Sequence, residues 1–495
     1  MKLQRRVLVV ILSMFLAIGV VFTPITEASE VHAASAYPNL ERSINLIMSD
    51  SRMKAINSSV TIRKASTGEI IYQSDADKKI TPASTLKLLT SAAALDTLGE
   101  EYQFTTEVLT DGTISKGVLQ GNLYVRGQGD PTLLKQDLDQ FASQLKKQGV
   151  TKITGNLVGD DYWFDDVRLS PSIDKSDESR YYAAQITGLT LSPNKDYDAG
   201  TVIVEAVPTQ KGYKAKVKMT PETGIVKVIN RTNTVPKGSK NTLSIKRQSG
   251  TNNIIISGNV PVGSSGKKEW VTLSNPTAYT LDVFKKSLAS KGIKFSPKSV
   301  VRRGIAPADG QVLAVKTSMP LKDLMKPFMK LSNNTHAEIL AKTMGRQKYG
   351  EGSWNAGLRV MREFADSIGL NSSEWRFEDA SGMSHSNKVT SAQMTELLFL
   401  VRSAPWYSTY VQGLPVAGAN DRFIGGTLRN RLTSPLVKGK VIAKTGSLNR
   451  VNSLAGYAET KDGETLIFSI LTQDQKSSTI PLIDKIATVI ATSAN

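Results

Sequence analysis

The pattern of apolar and polar residues changes twice along the chain, and this limits the folds that the chain can adopt. Residues 58 to 98 read as a β-hairpin followed at once by an apolar helix, and helices and strands return from about residue 306 to the C-terminus. Between them, residues 99 to 305 form short apolar runs separated by turn residues, a pattern typical of β-strands with little helix. We therefore predict an α/β (α+β) domain interrupted by a long β-rich insertion.

The interrupted domain is predicted to contain a central antiparallel sheet flanked by helices. Its first two strands alternate apolar and polar residues over 58–73, around a turn at Thr67-Gly68, and its last strands meet at a turn over 461–463. Hairpins join antiparallel strands, whereas parallel strands need long crossovers. A final helix over 480–491 carries its apolar residues on one face and a single lysine, which favours packing in the core over the alternative of docking on a membrane.

The N-terminus has the three regions of a secretory signal peptide. A basic start is followed by an apolar stretch over 7–22 and by small residues at which a peptidase can cleave. An uncleaved membrane anchor is the alternative, because the stretch is about as long as the shortest membrane spans. Both readings predict an exported protein that lies outside the cell, in the cell wall or on the outer face of the cytoplasmic membrane.

The same changes in composition predict the domain boundaries. We expect a signal peptide over 1–33, a discontinuous main domain over 34–98 and 306–495, an inserted β-rich domain over 99–200 and 265–305, and a smaller nested β-rich domain over 201–264.

Several classes of chemistry are disfavoured by the composition. The chain has no cysteine and three histidines. The lack of cysteine removes thiol catalysis and thiolate metal sites, and the scarcity of histidine leaves few candidates for a zinc site or a Ser-His-Asp triad. We therefore expect neither a metal nor a cofactor.

The net charge of +18 is concentrated in one part of the chain. Residues 201–300 hold 17 Lys and Arg against 4 Asp and Glu, whereas residues 101–200 hold 10 against 15. A basic surface on an exported protein can attract anionic wall polymers or lipid headgroups. The alternative is a solvated, lysine-rich face that aids solubility. Nucleic acid is not an expected partner outside the cell.

Three short motifs point to nucleophilic catalysis. Ser84 and Lys87 form an S-x-x-K motif at the start of the first apolar helix, Ser332 and Asn334 form an S-x-N motif between two helical stretches, and a K-T-G motif begins at Lys444 on a predicted strand. Helical residues three apart lie on one face, so the serine and lysine of the first motif can touch. A lysine whose pKa falls in a cleft can take the proton of such a serine.

No single motif is decisive. S-x-x-K recurs at sites such as Ser51, Ser172, Ser192, Ser264 and Ser265, and S-x-N also recurs, whereas K-T-G occurs once. An isolated S-x-x-K is more commonly an ordinary helix start with a solvated lysine. The order of the three motifs, each in its own structural context, is what favours catalysis at the first of them.

With these motifs, the sequence resembles the penicillin-binding serine D-alanyl-D-alanine carboxypeptidases. It is most similar to the low-molecular-mass class C group, which carries a large insertion between the first two motifs. The likeness spans nearly the whole mature chain and includes GNLYVRGQGDPTL, EDASGMS and LPVAGANDRFIGGTLRNR. It implies a transpeptidase-like fold for the main domain and hydrolysis of peptidoglycan stem peptides through an acyl-enzyme that β-lactams also form. Carboxypeptidase and endopeptidase cleavage use the same chemistry, and both remain open.

The resemblance implies a role for each motif residue. Ser84 would be the acylated nucleophile and Lys87 its general base. Ser332 would relay a proton to the leaving nitrogen, Asn334 would bind the substrate backbone, and Lys444 would supply positive charge. Thr445 and Ser447 would hold the terminal carboxylate, and the backbone N–H groups of Ser84 and Ser447 would form the oxyanion hole. Gly446 would let the ligand approach the backbone.

Class C relatives also recognise the side chain of a diaminopimelate residue. The resemblance implies that Asp177 and Tyr182 face its ammonium, alongside Met383, Leu448 and Asn449. The alternative for the first two is an exposed loop acid and a packed tyrosine.

One position departs from the family pattern. His385 stands where the family often has an arginine. Arginine pairs a carboxylate in a bidentate manner, and a mostly neutral histidine does so less well. We therefore hypothesise that the preferred peptide carries an amide in place of the free carboxylate of the diaminopimelate side chain.

Two other functions are compatible with the same motifs. A β-lactamase-like hydrolase would share the nucleophile, but a small antibiotic does not require an inserted domain. A non-catalytic penicillin-binding wall scaffold would keep the fold and use the basic insertion, but the intact motifs argue against it. His336, close after the second motif, is interpreted as a packing residue and not as a triad base.

Overall fold

The computed structural model describes residues 37–495 except residues 171 and 174. The predicted signal peptide therefore lies outside the described residues. Among the helices that are described, none combines the length and the apolarity that a membrane span requires.

The N-terminal part supplies the predicted hairpin and the helix that follows it. A 3₁₀ turn, Ala83–Leu86, connects the hairpin to that helix. The elements are α1 (Pro38–Met48), α2 (Ser51–Lys54), β1 (Asn57–Lys64), β2 (Ile70–Ser74) and α3 (Lys87–Leu98).

The insertion consists mainly of short strands, as predicted. Its elements are β3 (Thr105–Thr110), β4 (Thr113–Ser115), β5 (Val118–Gln120), β6 (Leu123–Gly127), α4 (Lys135–Lys147), β7 (Lys152–Ile153), β8 (Leu157–Asp160), β9 (Thr201–Val207), β10 (Lys216–Thr220), β11 (Lys227–Val235), β12 (Ser244–Arg247), β13 (Asn253–Pro261), β14 (Lys267–Thr272), α5 (Pro276–Ser290), β15 (Lys294–Phe295) and β16 (Val301–Arg303). The next strand, β17 (Gln311–Thr317), follows the predicted boundary at residue 305 but pairs with β3 of the insertion.

The insertion also contains two helices, and the prediction of little helix between residues 99 and 305 is wrong for them. In α4 the buried residues Leu138, Phe141 and Leu145 recur at the spacing of an amphipathic helix. Phe141 packs edge-on against Phe284 of α5, with ring centroids 6.3 Å apart. The signal for α4 is therefore in the sequence, although turn residues on both sides obscure it.

The strands of the insertion form four sheets. Two have the orders β16-β8-β6-β3-β17 and β15-β7-β5-β4, and two smaller ones have the orders β10-β9-β14 and β11-β13-β12. Because β14 pairs with β9, strands from both sides of the predicted boundary at residue 264 share one sheet. The division of the insertion into domains stays a prediction.

The C-terminal part returns to helices and then to three long strands. A π-helical turn, Lys326–Lys330, extends the first helix. The elements are α6 (Leu321–Met325), α7 (Asn334–Tyr349), α8 (Trp354–Ser367), α9 (Ser391–Leu400), α10 (Tyr407–Gly413), α11 (Arg422–Gly425), β18 (Val441–Leu448), β19 (Val451–Glu459), β20 (Thr465–Gln473) and α12 (Ile480–Thr492).

The two ends of the chain meet in one antiparallel sheet, which confirms the predicted central sheet. Its order is β18-β19-β20-β1-β2, so the insertion leaves the sheet continuous in space. On one face, Phe468 packs with Ile44 of α1 and Ile486 of α12. On the other face, the neighbouring Ile467 packs with Leu88 of α3 and the other helices. Strand β18 lies at the edge of the sheet, beside the start of α3.

Candidate active site

The first motif is assembled at the junction of the 3₁₀ turn and α3. Ser84 lies in the turn, and Lys87 begins the helix with its side chain fully buried. The Lys87 Nζ atom is 2.8 Å from the Ser84 Oγ atom. The structure therefore brings the two residues into direct hydrogen-bonding contact.

The other contacts of Lys87 determine what its amine can do. Nζ lies 2.6 Å from Asn334 Oδ1 and 2.7 Å from the carbonyl oxygen of Ser381. A neutral amine has two N–H donors and one lone pair, so these two acceptors leave the lone pair for the Ser84 hydroxyl to donate to. Burial lowers the pKa of Lys87 to about 7, although the nearby carboxylates of Glu338 and Asp379 act in the opposite direction. The amine can thus act as a base near neutral pH.

The second motif lies where the π-helical turn meets α7. Ser332 adopts a positive φ of 59°, a strained conformation for a serine and one that is common at functional sites. Its Oγ atom accepts a 2.7 Å hydrogen bond from Lys444 Nζ. Lys444 is also fully buried, and burial together with the charge of Lys87 lowers its pKa well below the usual value. A second serine and lysine pair therefore faces the first.

The third motif occupies the edge strand β18, which packs directly on the turn that carries Ser84. A side chain at Gly446 would collide with Ser453 Oγ and would lie 2.8 Å from the Pro82 carbonyl oxygen and 3.0 Å from the Ser84 nitrogen. The close packing of these protein atoms is therefore enough to require glycine at this position. The hydroxyl of Thr445 is 2.7 Å from that of Thr427.

Residues 415–417 cover the first half of the outer edge of β18, where the Ala443 N–H donates to the Pro415 carbonyl; from Lys444 onward no strand pairs with this edge among the described residues. Ser447 is exposed on this strand, and its Oγ atom accepts a 3.1 Å hydrogen bond from Asn452 Nδ2. Edge strands present unpaired backbone groups, and an extended peptide can add to them as a further strand. This part of β18 lies beside Ser84.

Two buried acids outside the three motifs fix the loop around Ser381, the residue whose carbonyl contacts Lys87. Glu338 accepts hydrogen bonds from the backbone N–H of Ser381 at 2.9 Å and from Trp354 Nε1 at 2.6 Å. Asp379 accepts from the N–H groups of Gly382 and Ser384 at 2.8 and 2.7 Å. Burial raises the pKa of Glu338, and the charge of Asp379 adds to this effect. Single acids carry no motif, and the polar residue inside the apolar stretch of α7 was the only signal for Glu338.

Only some of the residues predicted to bind the diaminopimelate side chain lie close to one another in the structure. Tyr182 donates a 2.9 Å hydrogen bond from its hydroxyl to Asp177 Oδ1, and Tyr182 and Met383 line a small cavity next to Asn334. The other three predicted residues do not line this cavity: half-buried Leu448 at the end of β18, exposed Asn449 in the following turn, and exposed His385. Their role in substrate binding remains a prediction.

His336 lies near the second motif but has contacts of a different kind. It is fully buried, and its Nε2 atom is 2.8 Å from the carbonyl oxygen of Tyr197, to which it donates. Its Nδ1 atom has no partner among the described residues, and burial lowers the pKa of the ring to about 4. The ring is therefore neutral at pH 7 and ties α7 to the loop of Tyr197.

We expect the substitution His336→Gln to leave penicillin acylation within about threefold of the wild-type rate, because a glutamine amide can still donate to Tyr197. Labelled penicillin and a thermal melt measure the two properties. Loss of acylation with an unchanged melting temperature would show that His336 acts in the reaction.

A lysine kept neutral by burial can deprotonate an adjacent serine without any histidine, and this chemistry defines the class of serine acyl-enzymes that react with penicillins. The family model for the D-Ala-D-Ala carboxypeptidase 3 (S13) family matches residues 40–492. The chain therefore belongs to this family of serine peptidases.

Individual relatives agree with this assignment. The chain is 38% identical over 435 residues to a D-alanyl-D-alanine carboxypeptidase of Actinomadura sp. (strain R39), covering 87% of this chain and 80% of the relative. It is 29% identical to the D-alanyl-D-alanine carboxypeptidase DacB of Haemophilus influenzae, covering 81% and 82%.

Solved structures show the same fold. The crystal structure of penicillin binding protein 4 from H. influenzae matches with a TM-score of 0.76 at 25% identity, over 90% of this chain and 98% of that one. A structure of the same protein complexed with a β-lactam matches with a TM-score of 0.71 at 25% identity, over 91% and 98%.

Proposed function

We propose that this protein is a serine-type D-alanyl-D-alanine carboxypeptidase and D,D-endopeptidase of peptidoglycan stem peptides, and that β-lactams acylate its Ser84. The contact between the Ser84 hydroxyl and the amine of buried Lys87 is the observation that carries the proposal. The names of its relatives support the substrate class.

Acylation begins when Lys87 takes the proton of Ser84 and Oγ attacks the D-alanyl carbonyl carbon. The backbone N–H groups of Ser84 and Ser447 stabilise the oxyanion, a contribution that is typically about 3 kcal/mol for each such donor. Asn334 holds the substrate backbone on the acyl side. Its Nδ2 atom already donates to the Tyr182 carbonyl, so its orientation is fixed.

Ser332 and Lys444 act on the opposite side of the scissile bond. Ser332 relays the proton that Lys87 took from Ser84 to the leaving nitrogen as the amide C–N bond breaks, which returns Lys87 to its neutral form. The charge of Lys444, once it binds a proton from solvent, balances the terminal carboxylate. Thr445 and Ser447 hydrogen-bond this carboxylate. Water then hydrolyses the ester on Ser84, which restores the hydroxyl and releases the shortened peptide.

Incubation with labelled penicillin and with a diaminopimelyl-D-alanyl-D-alanine peptide tests the proposal. We expect an adduct on Ser84 and release of D-alanine. An adduct without any D-alanine release would favour a wall scaffold, and rapid turnover of the penicillin would favour a β-lactamase.

The side-chain pocket is proposed to prefer an amidated diaminopimelate, because exposed His385 replaces an arginine that would bind a free carboxylate. We expect a kcat/KM for the amidated peptide about fivefold higher than for the free acid, measured as D-alanine release. His385→Arg should reduce this preference. A wild-type enzyme that strongly favours the free acid would refute the proposal.

The basic region, residues 201–300, is proposed to attach the exported protein to anionic wall polymers or membrane lipids. Strand β10 forms part of its surface. Lys214, Lys216 and Lys218 are all exposed along this strand and the turn before it. We expect salt to release the protein from isolated envelopes, because screening weakens exposed charges. Replacing these three lysines with glutamine should lower the salt needed for release, and binding that ignores ionic strength would exclude this mode of attachment.

A further inference from the structure

Two buried carboxylates lie close to the base, and the steps described above give them no part in the reaction. Glu338 lies one helical turn after Asn334 on α7, so its side chain is on the helix face that contacts Lys87. Asp379 begins the loop 379–384 and is fully buried. In the part of the chain that the structure describes, neither acid hydrogen-bonds to the Lys87 amine, so any effect of their charge on it acts through space.

The loop 379–384 contacts both partners of the proton transfer. The Ser381 carbonyl accepts a 2.7 Å hydrogen bond from Lys87 Nζ. At Gly382 the loop packs on the turn of the nucleophile, where an added side chain would lie 3.1 Å from the Ser84 nitrogen. Glu338 holds this loop through the Ser381 N–H at 2.9 Å. The acid, the loop and the base therefore form one packed unit.

The hydrogen bonds of the two acids are those of ionised carboxylates. Each acid accepts three hydrogen bonds, and all of them come from N–H groups. A protonated carboxyl has a hydrogen of its own, which would be directed at one of these donors. Burial raises the pKa of both Glu338 and Asp379. The six donors oppose this effect, because hydrogen bonds to the charged form favour it.

Several charged groups surround the base, and they come from three parts of the fold. They are Glu338 and Lys342 of α7, Asp379 of the loop 379–384, and Lys444 of β18. Lys342 is paired with Asp165 at 2.6 Å, and the charge of Lys444 opposes a second positive charge on Lys87. Burial lowers the pKa of Lys87, whereas Glu338 and then Asp379 raise it. The two acids are therefore the groups that favour its protonated form.

We infer that Glu338, together with Asp379, is a positioning residue that stabilises the ammonium form of Lys87 while Ser84 attacks. This inference rests on the proposed function and deepens it. In that step the Oγ–H bond of Ser84 breaks, the proton binds the lone pair of Nζ, and Oγ bonds to the carbonyl carbon. The new positive charge forms in a buried site, where a nearby negative charge offsets it. Glu338 thus strengthens the base without touching the substrate.

Variants that separate charge from packing test this inference. Glu338→Gln removes the charge at nearly constant size, and Glu338→Asp keeps the charge on a shorter side chain. Glu363→Gln is the control, because this half-buried acid of α8 has its hydrogen-bond partners on α7 and α8: Lys348, Tyr349 and Arg359. The rate of acylation by labelled penicillin is measured on each protein from about pH 5 to about pH 9, together with a thermal melt.

We expect Glu338→Gln to move the acid limb of the acylation rate about one pH unit lower and to reduce the plateau about threefold or more, because the amine becomes a weaker base. Glu338→Asp should keep the limb near that of wild type even if its plateau falls. Glu363→Gln should change neither. If Glu338→Gln melts below the assay temperature, Asp379→Asn removes the other charge and should move the limb in the same direction.

A lower plateau with an unmoved limb in both charge-removing variants would show that the acids only support the fold, and this would overturn the inference. The same conclusion follows if Glu338→Asp moves the limb as far as Glu338→Gln does. In both cases the wild-type protein still reacts with penicillin, so the proposed function stands. A folded wild-type protein that forms no penicillin adduct and releases no D-alanine would overturn the proposed function and this inference with it.

Discussion

The substitution Ser84→Ala is expected to abolish the covalent penicillin adduct and to lower kcat for D-alanine release on the order of 10⁶-fold, the size of the loss when a serine peptidase loses its nucleophile. Without the Oγ atom no acyl-enzyme can form. The fold should persist, because among the described residues the hydroxyl hydrogen-bonds with the Lys87 amine alone and the surrounding core is untouched. Mass spectrometry of the labelled protein and a thermal melt measure both properties.

The chain contains a matched control for this experiment. Ser264 begins another S-x-x-K sequence, but it lies in a turn after β13, and its Oγ atom donates to the Pro261 carbonyl at 2.8 Å. Ser264→Ala should therefore leave labelling and D-alanine release unchanged. Retention of the label by Ser84→Ala, with its loss in Ser264→Ala, would reverse our assignment of the nucleophile.

Features that depend on nearby residues could be predicted from the sequence. The hairpin of β1 and β2, the turn between β19 and β20 and the contact of Ser84 with Lys87 all follow from turn residues or from helical spacing. The amphipathic helix α4 belongs to this group as well, because its buried residues recur at helical spacing. Local chemistry was sufficient for each of these elements.

Features that depend on distant residues could not be predicted in the same way. The pairing of β1 with β20 joins segments about 400 residues apart, and no local signal specifies which strands become neighbours. The contact between Ser332 and Lys444 and the role of Glu338 also exist only after folding. The resemblance to a family implied a role for Ser332 and for Lys444 but not their contact, and a polar residue inside an apolar stretch does not show what Glu338 binds.

The pH dependence of acylation is expected to report the base. Burial lowers the pKa of Lys87 to about 7, so the amine is protonated below this pH and has no lone pair for the Ser84 proton. The rate of penicillin acylation should therefore fall about tenfold for each pH unit below about 7 and reach a plateau above it. A rate that instead rises as the pH falls would contradict this role.

The substitution Lys87→Arg separates the proton transfer of this residue from its positive charge. A guanidinium stays protonated at every pH that the protein tolerates, so it can keep a charge near Ser84 but cannot accept the proton. We expect acylation to fall by about 10²–10⁴-fold and the limb below pH 7 to disappear. Because an arginine is larger than the space that the buried lysine fills, Lys87→Gln serves as a smaller variant, and its amide can still contact Asn334 and Ser381.

The two variants together decide between the roles. If Lys87 is the base, both lose acylation to a similar extent, because neither side chain accepts a proton from Ser84. If Lys87 acts only through its charge, Lys87→Arg retains most of the activity and Lys87→Gln does not. Since the two N–H donors of the neutral amine are already directed to Asn334 and Ser381, the lone pair has the Ser84 hydroxyl as its partner. That geometry favours the first outcome.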